Sequence, residues 1–146
     1  LRPFAAAHPC RTIDVDGAQF RYILTGKPEG RTRVFLNGGM NTLEMWMDYV
    51  DALADTGRVL LFDYPQQLRT NQALVAGMHA FFAAVKGKIL LILPDQDFFS
   101  GQMQQDLIRL MHEPEIRYVS GGHLSTVLKT EDYIRTIRAF LAGQPE

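Results

Sequence analysis

The chain has 146 residues, 47% hydrophobic and 21% charged, a balance that suits one globular domain with enough apolar residues for a core. Its 15 basic and 16 acidic residues leave a net charge of -1 without runs of one sign, so neither nucleic acid nor a membrane surface is an expected partner. The longest apolar stretch, 89–93, is far short of the ~20 residues of a spanning helix, no signal-peptide pattern opens the chain, and the one cysteine, Cys10, reads as a partly buried structural thiol; the expectation is a cytoplasmic protein.

Residues 11–16 and 19–25 are β-prone and joined by Asp16-Gly17, a dipeptide that favours a tight turn, so an antiparallel hairpin is expected first. Residues 33–36 read as a buried strand that stops at Asn37-Gly38-Gly39. A helix should follow, since Leu43, Trp46, Met47, Val50, Leu53 and Ala54 share one helical face, with Asn41 or Thr42 as its cap and Gly57 as its stop. Residues 58–62 supply the next strand, closed by Asp63-Tyr64-Pro65, and 70–85 a second helix whose apolar face holds Leu74, Met78, Phe81, Phe82 and Val85. The apolar run at 88–93 suits a strand covered on both faces and ended by Pro94-Asp95. A helix over 100–111 with Ser100 as cap, a short strand at 116–119 and a terminal helix over 130–141 with Thr130 as cap complete the chain.

Strands alternating with helices after a hairpin predict an α/β fold built as a mostly parallel, doubly wound sheet within a single domain over 1–146. In such sheets chemistry sits beyond the carboxyl ends of the strands, where 37–42, 94–100 and 120–125 all lie. Gly38 and Gly39, at a strand-to-helix handover, could present backbone N–H groups as an oxyanion hole does, although a tight turn needs glycine for its own sake. Asp95 and Asp97 follow one buried strand, and His123 stands behind Gly121-Gly122 at the end of another. An acid and then a histidine on the last two strand-end loops is the tail of a Ser, Asp, His order.

On these residues the chain resembles the α/β-hydrolase family over its whole length, from the hairpin through Leu36-Asn37-Gly38-Gly39 and Phe62-Asp63-Tyr64-Pro65 to the acid and histidine loops and the helix after them. The resemblance implies that Asp97 orients the imidazole, that His123 is the general base, and that the backbone N–H of Gly39 or Met40 is an oxyanion donor. Asp95 is the rival acid, but the family's acid is the third residue after the turn position held here by Pro94, which is Asp97. The implied activity is hydrolysis of a small carboxylic ester or related acyl substrate with no metal or cofactor; the same fold with an aspartate nucleophile splits epoxides or carbon–halogen bonds.

The departure from the family is the nucleophile, which belongs on a Gly-x-Ser-x-Gly turn. The three serines, Ser100, Ser120 and Ser125, lie in no such motif; Ser100 reads as a helix cap and Ser125 as a surface residue. The helix over 70–85 runs through Lys86-Gly87 into what resembles the family's acid-bearing strand, so two strand-helix units, roughly 60 residues at about 30 each, and any lid are missing or deleted near 84–88. Leu1 in place of Met favours a longer parent chain that supplies the nucleophile. The alternative is a contracted six-strand sheet, 1-2-4-3-7-8, left when strands 5 and 6 are deleted from the parent order 1-2-4-3-5-6-7-8, a non-catalytic domain that binds a small molecule or a protein partner. An edge strand left by the deletion would leave a homodimer open. His8, His79 and His112 show no paired metal-site spacing. Met40, Met45, Trp46 and Met47 could line an apolar substrate pocket, with Trp46 and Met47 reading first as core.

Overall fold

A computed structural model of the chain describes residues 2–29, 32–36, 42–65, 71–84, 88–98 and 101–143, in two compact units, Leu1–Leu74 and Val75–Glu146. The first opens with a helix that the sequence pattern did not announce, α1 (Arg2–Ala7). His8 holds its end in place: Nδ1 lies 2.8 Å from Thr25 Oγ1, Nε2 lies 3.2 Å from Asp51 Oδ1, and the ring packs on Phe4.

The hairpin forms as expected from β1 (Arg11–Val15) and β2 (Ala18–Gly26). Asp16 and Gly17 both take positive φ, 53° and 80°, as a two-residue type I′ turn demands, and the Asp14 carboxylate accepts the Gly17 N–H at 2.9 Å. β3 (Thr32–Phe35) and β4 (Arg58–Phe62) are parallel neighbours, with a helical crossover between them. The sheet order is β1-β2-β4-β3, the first four places of the order implied by the family resemblance.

The four-stranded sheet is mixed where a mostly parallel one was expected after the hairpin: β1-β2 is the expected antiparallel hairpin, β2-β4 is antiparallel as well, and β3-β4 is parallel. A hairpin offers strands of both directions, and the one that joins β4 here, β2, runs against it.

The crossover starts as a 3-10 turn, Leu43–Trp46, continues as α2 (Met47–Leu53) and ends in a second 3-10 turn, Ala54–Thr56. Thr42 makes no side-chain cap bond, and Asn41 lies outside the described residues. The cap comes from β4's end instead, where the Asp63 carboxylate accepts the Leu43 N–H at 2.6 Å. Leu43, Tyr49, Val50 and Leu53 are buried with Ile23, Val59 and Leu61, the last two being neighbours in register with β2 and β3. Gly26, at φ +86°, passes so close to the turn before β4 that a Cβ would overlap the Gly57 carbonyl oxygen. Cys10, expected to be partly buried, is exposed at the foot of β1, an edge strand without a buried residue.

Beyond α3 (Asn71–Ala84), the second unit pairs β5 (Leu90–Pro94) with β6 (Glu115–Val119) in parallel, from Leu90 opposite Glu115 to Pro94 opposite Val119. The crossover helix is α4 (Gly101–Leu110), and one short turn, α5 (Ser125–Leu128), precedes α6 (Thr130–Ala142). Leu91 and Leu93 are buried on β5, and α6 packs against both strands and buries Tyr133 and Thr136. Thr130 is not the cap expected of it: its hydroxyl donates back to the carbonyls of Thr126 and Val127, and Lys129 holds the cap position. Among the described residues no helix is long and apolar enough to cross a membrane.

Candidate functional site in the second unit

Proline has no N–H to extend a ladder, so β5 closes at Pro94 and its chain turns across the end of β6. Three hydrogen bonds tie the two strand ends together. The Asp95 N–H donates to the Val119 carbonyl at 3.1 Å and the Gln96 N–H to the Gly121 carbonyl at 2.9 Å, while the Asp95 carboxylate accepts the Gly121 N–H at 2.8 Å. Asp95, the rival acid, therefore braces the loops, and the next acid along faces the histidine.

Both carboxylate oxygens of Asp97 lie 3.3 Å from His123 Nδ1. The Asp97 side chain is 5% exposed and the His123 side chain 46%, so a buried acid holds an imidazole that solvent still reaches. An ionised carboxylate only accepts hydrogen bonds, which assigns the proton to Nδ1 and leaves the lone pair on Nε2. Phe98 packs its ring on the imidazole at 4.5 Å between centroids. Gly121, at φ +138°, is needed where the histidine loop turns, because a Cβ there would meet Ser125 Cβ at 3.2 Å.

Ser125, expected at the surface, is 3% exposed. Its hydroxyl shares a hydrogen bond of 2.8 Å with that of Tyr133, itself 3% exposed, because the turn into α5 points the small side chain inward while Leu124, Val127 and Leu128 stay exposed. Burial pushes the Tyr133 phenol above its ordinary pKa; the Ser125 bond opposes this and the Asp97 charge adds to it. The apolar face of α6 was legible in the sequence, but nothing in a spacing pattern announces a hydroxyl pair.

Ser120 is exposed at the end of β6, whereas Ser100, Gly39 and Met40 lie outside the described residues. Trp46 belongs to an aromatic cluster of the first unit, 5.0 Å from the Phe35 ring and 5.2 Å from that of Tyr49. A cavity of about 610 Å³ opens at the amino ends of β5 and β6, between Phe82, Lys88, Met111 and Glu115, away from Asp97 and His123. Among the described residues no three His, Cys, Asp or Glu side chains gather as a metal site requires.

No family model and no curated protein matches this sequence. Among solved structures it is similar to a CIB-like hydrolase from Thermoplasma acidophilum, at 15% identity and a TM-score of 0.67 over 92% of this chain and 98% of that one. It is also similar to a carboxylesterase from Bacillus subtilis, at 10% identity and a TM-score of 0.66 over 99% and 96% of the two chains. Identities this low speak for the fold alone, and on that ground the chain has an α/β-hydrolase-like fold with a mixed sheet.

Proposed function

We propose that the chain carries the acid and the base of a hydrolase that acts on a small carboxylic ester or related acyl substrate. The observation that supports this most is a nearly buried carboxylate, Asp97, facing Nδ1 of a half-exposed imidazole, His123. Asp97 orients the ring and stabilises the imidazolium; His123 Nε2 takes the proton of the attacking hydroxyl and returns it to the leaving alcohol. The backbone N–H of Gly39 or Met40 would bind the oxyanion. On this reading the nucleophile is a serine supplied by residues beyond these 146, since no Gly-x-Ser-x-Gly turn is present. Its oxygen bonds to the substrate carbonyl, the alcohol departs, and water, deprotonated by His123, cleaves the acyl-enzyme to release the acid. Phe98, 74% exposed and packed on the imidazole, offers apolar surface for the acyl portion.

The second reading, a non-catalytic domain that binds a small molecule or partner, is favoured by the burial of Ser125 against Tyr133, which takes the serine nearest His123 in sequence out of contention. Intact mass and fluorophosphonate labelling of the full-length protein, with ester turnover measured beside them, separate the two. One labelled serine, with turnover lost in His123→Ala, supports the hydrolase. A mass of 16.5 kDa without label or turnover rejects it.

A further inference from the structure

Two hydroxyls buried against each other are an odd choice for the inside of a small unit, where two apolar side chains would fill the same space without a hydrogen bond to satisfy. Ser125 stands two residues after His123, and its other bonds are all local: its N–H donates to the Gly122 carbonyl at 2.9 Å, and its carbonyl accepts the Lys129 N–H at 2.8 Å. Its hydroxyl reaches across to α6, where it shares a hydrogen bond of 2.8 Å with the Tyr133 hydroxyl. On its other side the same loop is tied at Gly121 to Asp95 and Gln96, the residues just before Asp97. His123 is thus carried on a short span between two anchors, one on the acid loop and one on α6. Tyr133 also lies near enough to feel the Asp97 charge.

We infer that Ser125 and Tyr133 are positioning residues, a buried strut between α6 and the histidine loop that sets His123 Nδ1 against the Asp97 carboxylate. The inference rests on the reading of Asp97 and His123 as acid and base, though the placement it describes can be measured without turnover. A side chain in the acid–base pair itself touches the reacting groups, whereas this pair acts only by fixing where the imidazole stands. Small displacements there are costly, because proton transfer depends on reach and alignment.

The test is proton NMR of the full-length protein, in which the carbon-bound ring protons of His123 are shifted by the Phe98 ring 4.5 Å away. The double variant S125A/Y133F removes both hydroxyls together, so neither is left buried without a partner and the fold is retained. The expected result is that the His123 ring resonances move toward those of a free imidazole while those of His8, His79 and His112 stay in place and the melting temperature holds. Where esters are turned over, kcat falls by about ten- to a hundredfold with KM little changed. Should the double variant not fold, Y133F alone, which loses a single oxygen, carries the same test. Unmoved His123 resonances in a folded variant overturn the inference. Moved resonances in a protein that hydrolyses no ester uphold it and reject the hydrolase reading instead.

Discussion

Asp63 and Asp97 both follow the carboxyl end of a core strand in their own unit, Asp63 one residue beyond β4 and Asp97 three beyond β5, and they meet different partners. Asp63 accepts the Leu43 N–H at 2.6 Å and forms an ion pair with the Arg21 guanidinium, its Oδ2 lying 3.3 Å from Nε. A peptide N–H and a guanidinium keep their protons at any ordinary pH, so this carboxylate can only hold the start of the α2 crossover to the sheet. Asp97 faces the Nδ1 of an imidazole, whose second ring nitrogen is left to exchange a proton with a substrate. A strand-end acid is therefore a structural clamp or half of an acid–base pair according to the proton chemistry of what it touches, and its place in the fold does not decide between them.

The contrast is sharpest in variants of the two acids. Asp97→Asn should reduce ester kcat by about 10²- to 10⁴-fold, since an amide can present its NH2 to Nδ1 and stabilise the wrong tautomer; steady-state kinetics on the folded variant would read it. Asp63→Asn should instead cost about 1–3 kcal/mol in a urea titration, the range for weakening a hydrogen bond to a partly buried N–H, with the His123 ring resonances unmoved. A variant of Asp63 that shifts His123, or a variant of Asp97 whose only effect is on stability, would erase the distinction.

A smaller effect is expected at Asp95, the exposed acid that accepts the Gly121 N–H. Asp95→Ala should lower stability by about 0.5–1.5 kcal/mol and speed hydrogen exchange at Gly121, measured against an exchange map of the parent protein. If Asp95 rather than Asp97 were the acid, its removal would cost kcat as much as that of Asp97.

The smallest effect comes from the ion pair beside Asp63. Burial raises the Glu44 pKa, but bonds from the Thr42 hydroxyl, its own backbone N–H and Arg21 outweigh it and hold the carboxyl below its usual 4.5. The folded value lies below the unfolded one, so the stabilisation is present above 4.5 and fades as the pH falls through the folded value. Both side chains are more than a third exposed, which keeps the effect small. Urea midpoints followed down through the acid range should fall less steeply in Glu44→Gln than in the parent; equal slopes would mean that the pair contributes nothing.

Much of the chain was legible because it is local. Asp16-Gly17 demands positive φ at both turn positions, and residues 58–62 are the strand Arg58–Phe62 because an apolar run between Gly57 and Pro65 has nowhere else to pair. The order of loops along the chain pointed to an acid and a histidine on neighbouring strand ends, the family resemblance chose Asp97 over Asp95, and the fold brings Asp97 to 3.3 Å from His123. Other features depend on residues far apart in sequence. The helix α1 carries no period of its own and is held by His8 through Thr25 and Asp51, and the cap of the α2 crossover comes from Asp63, 20 residues beyond Leu43.

The sequence by itself determined the alternation of strands and helices, the hairpin turn and the pair of strand-end loops with an acid and a histidine, since these follow from backbone preference and the spacing of apolar residues. Only the tertiary structure decided that β2 joins β4 in the antiparallel sense, that Asp95 braces while Asp97 faces the imidazole, and that Ser125 turns inward to Tyr133. Each of those choices depends on which of several polar or apolar groups ends up beside another across the fold, a question that spacing along one chain leaves open and packing answers.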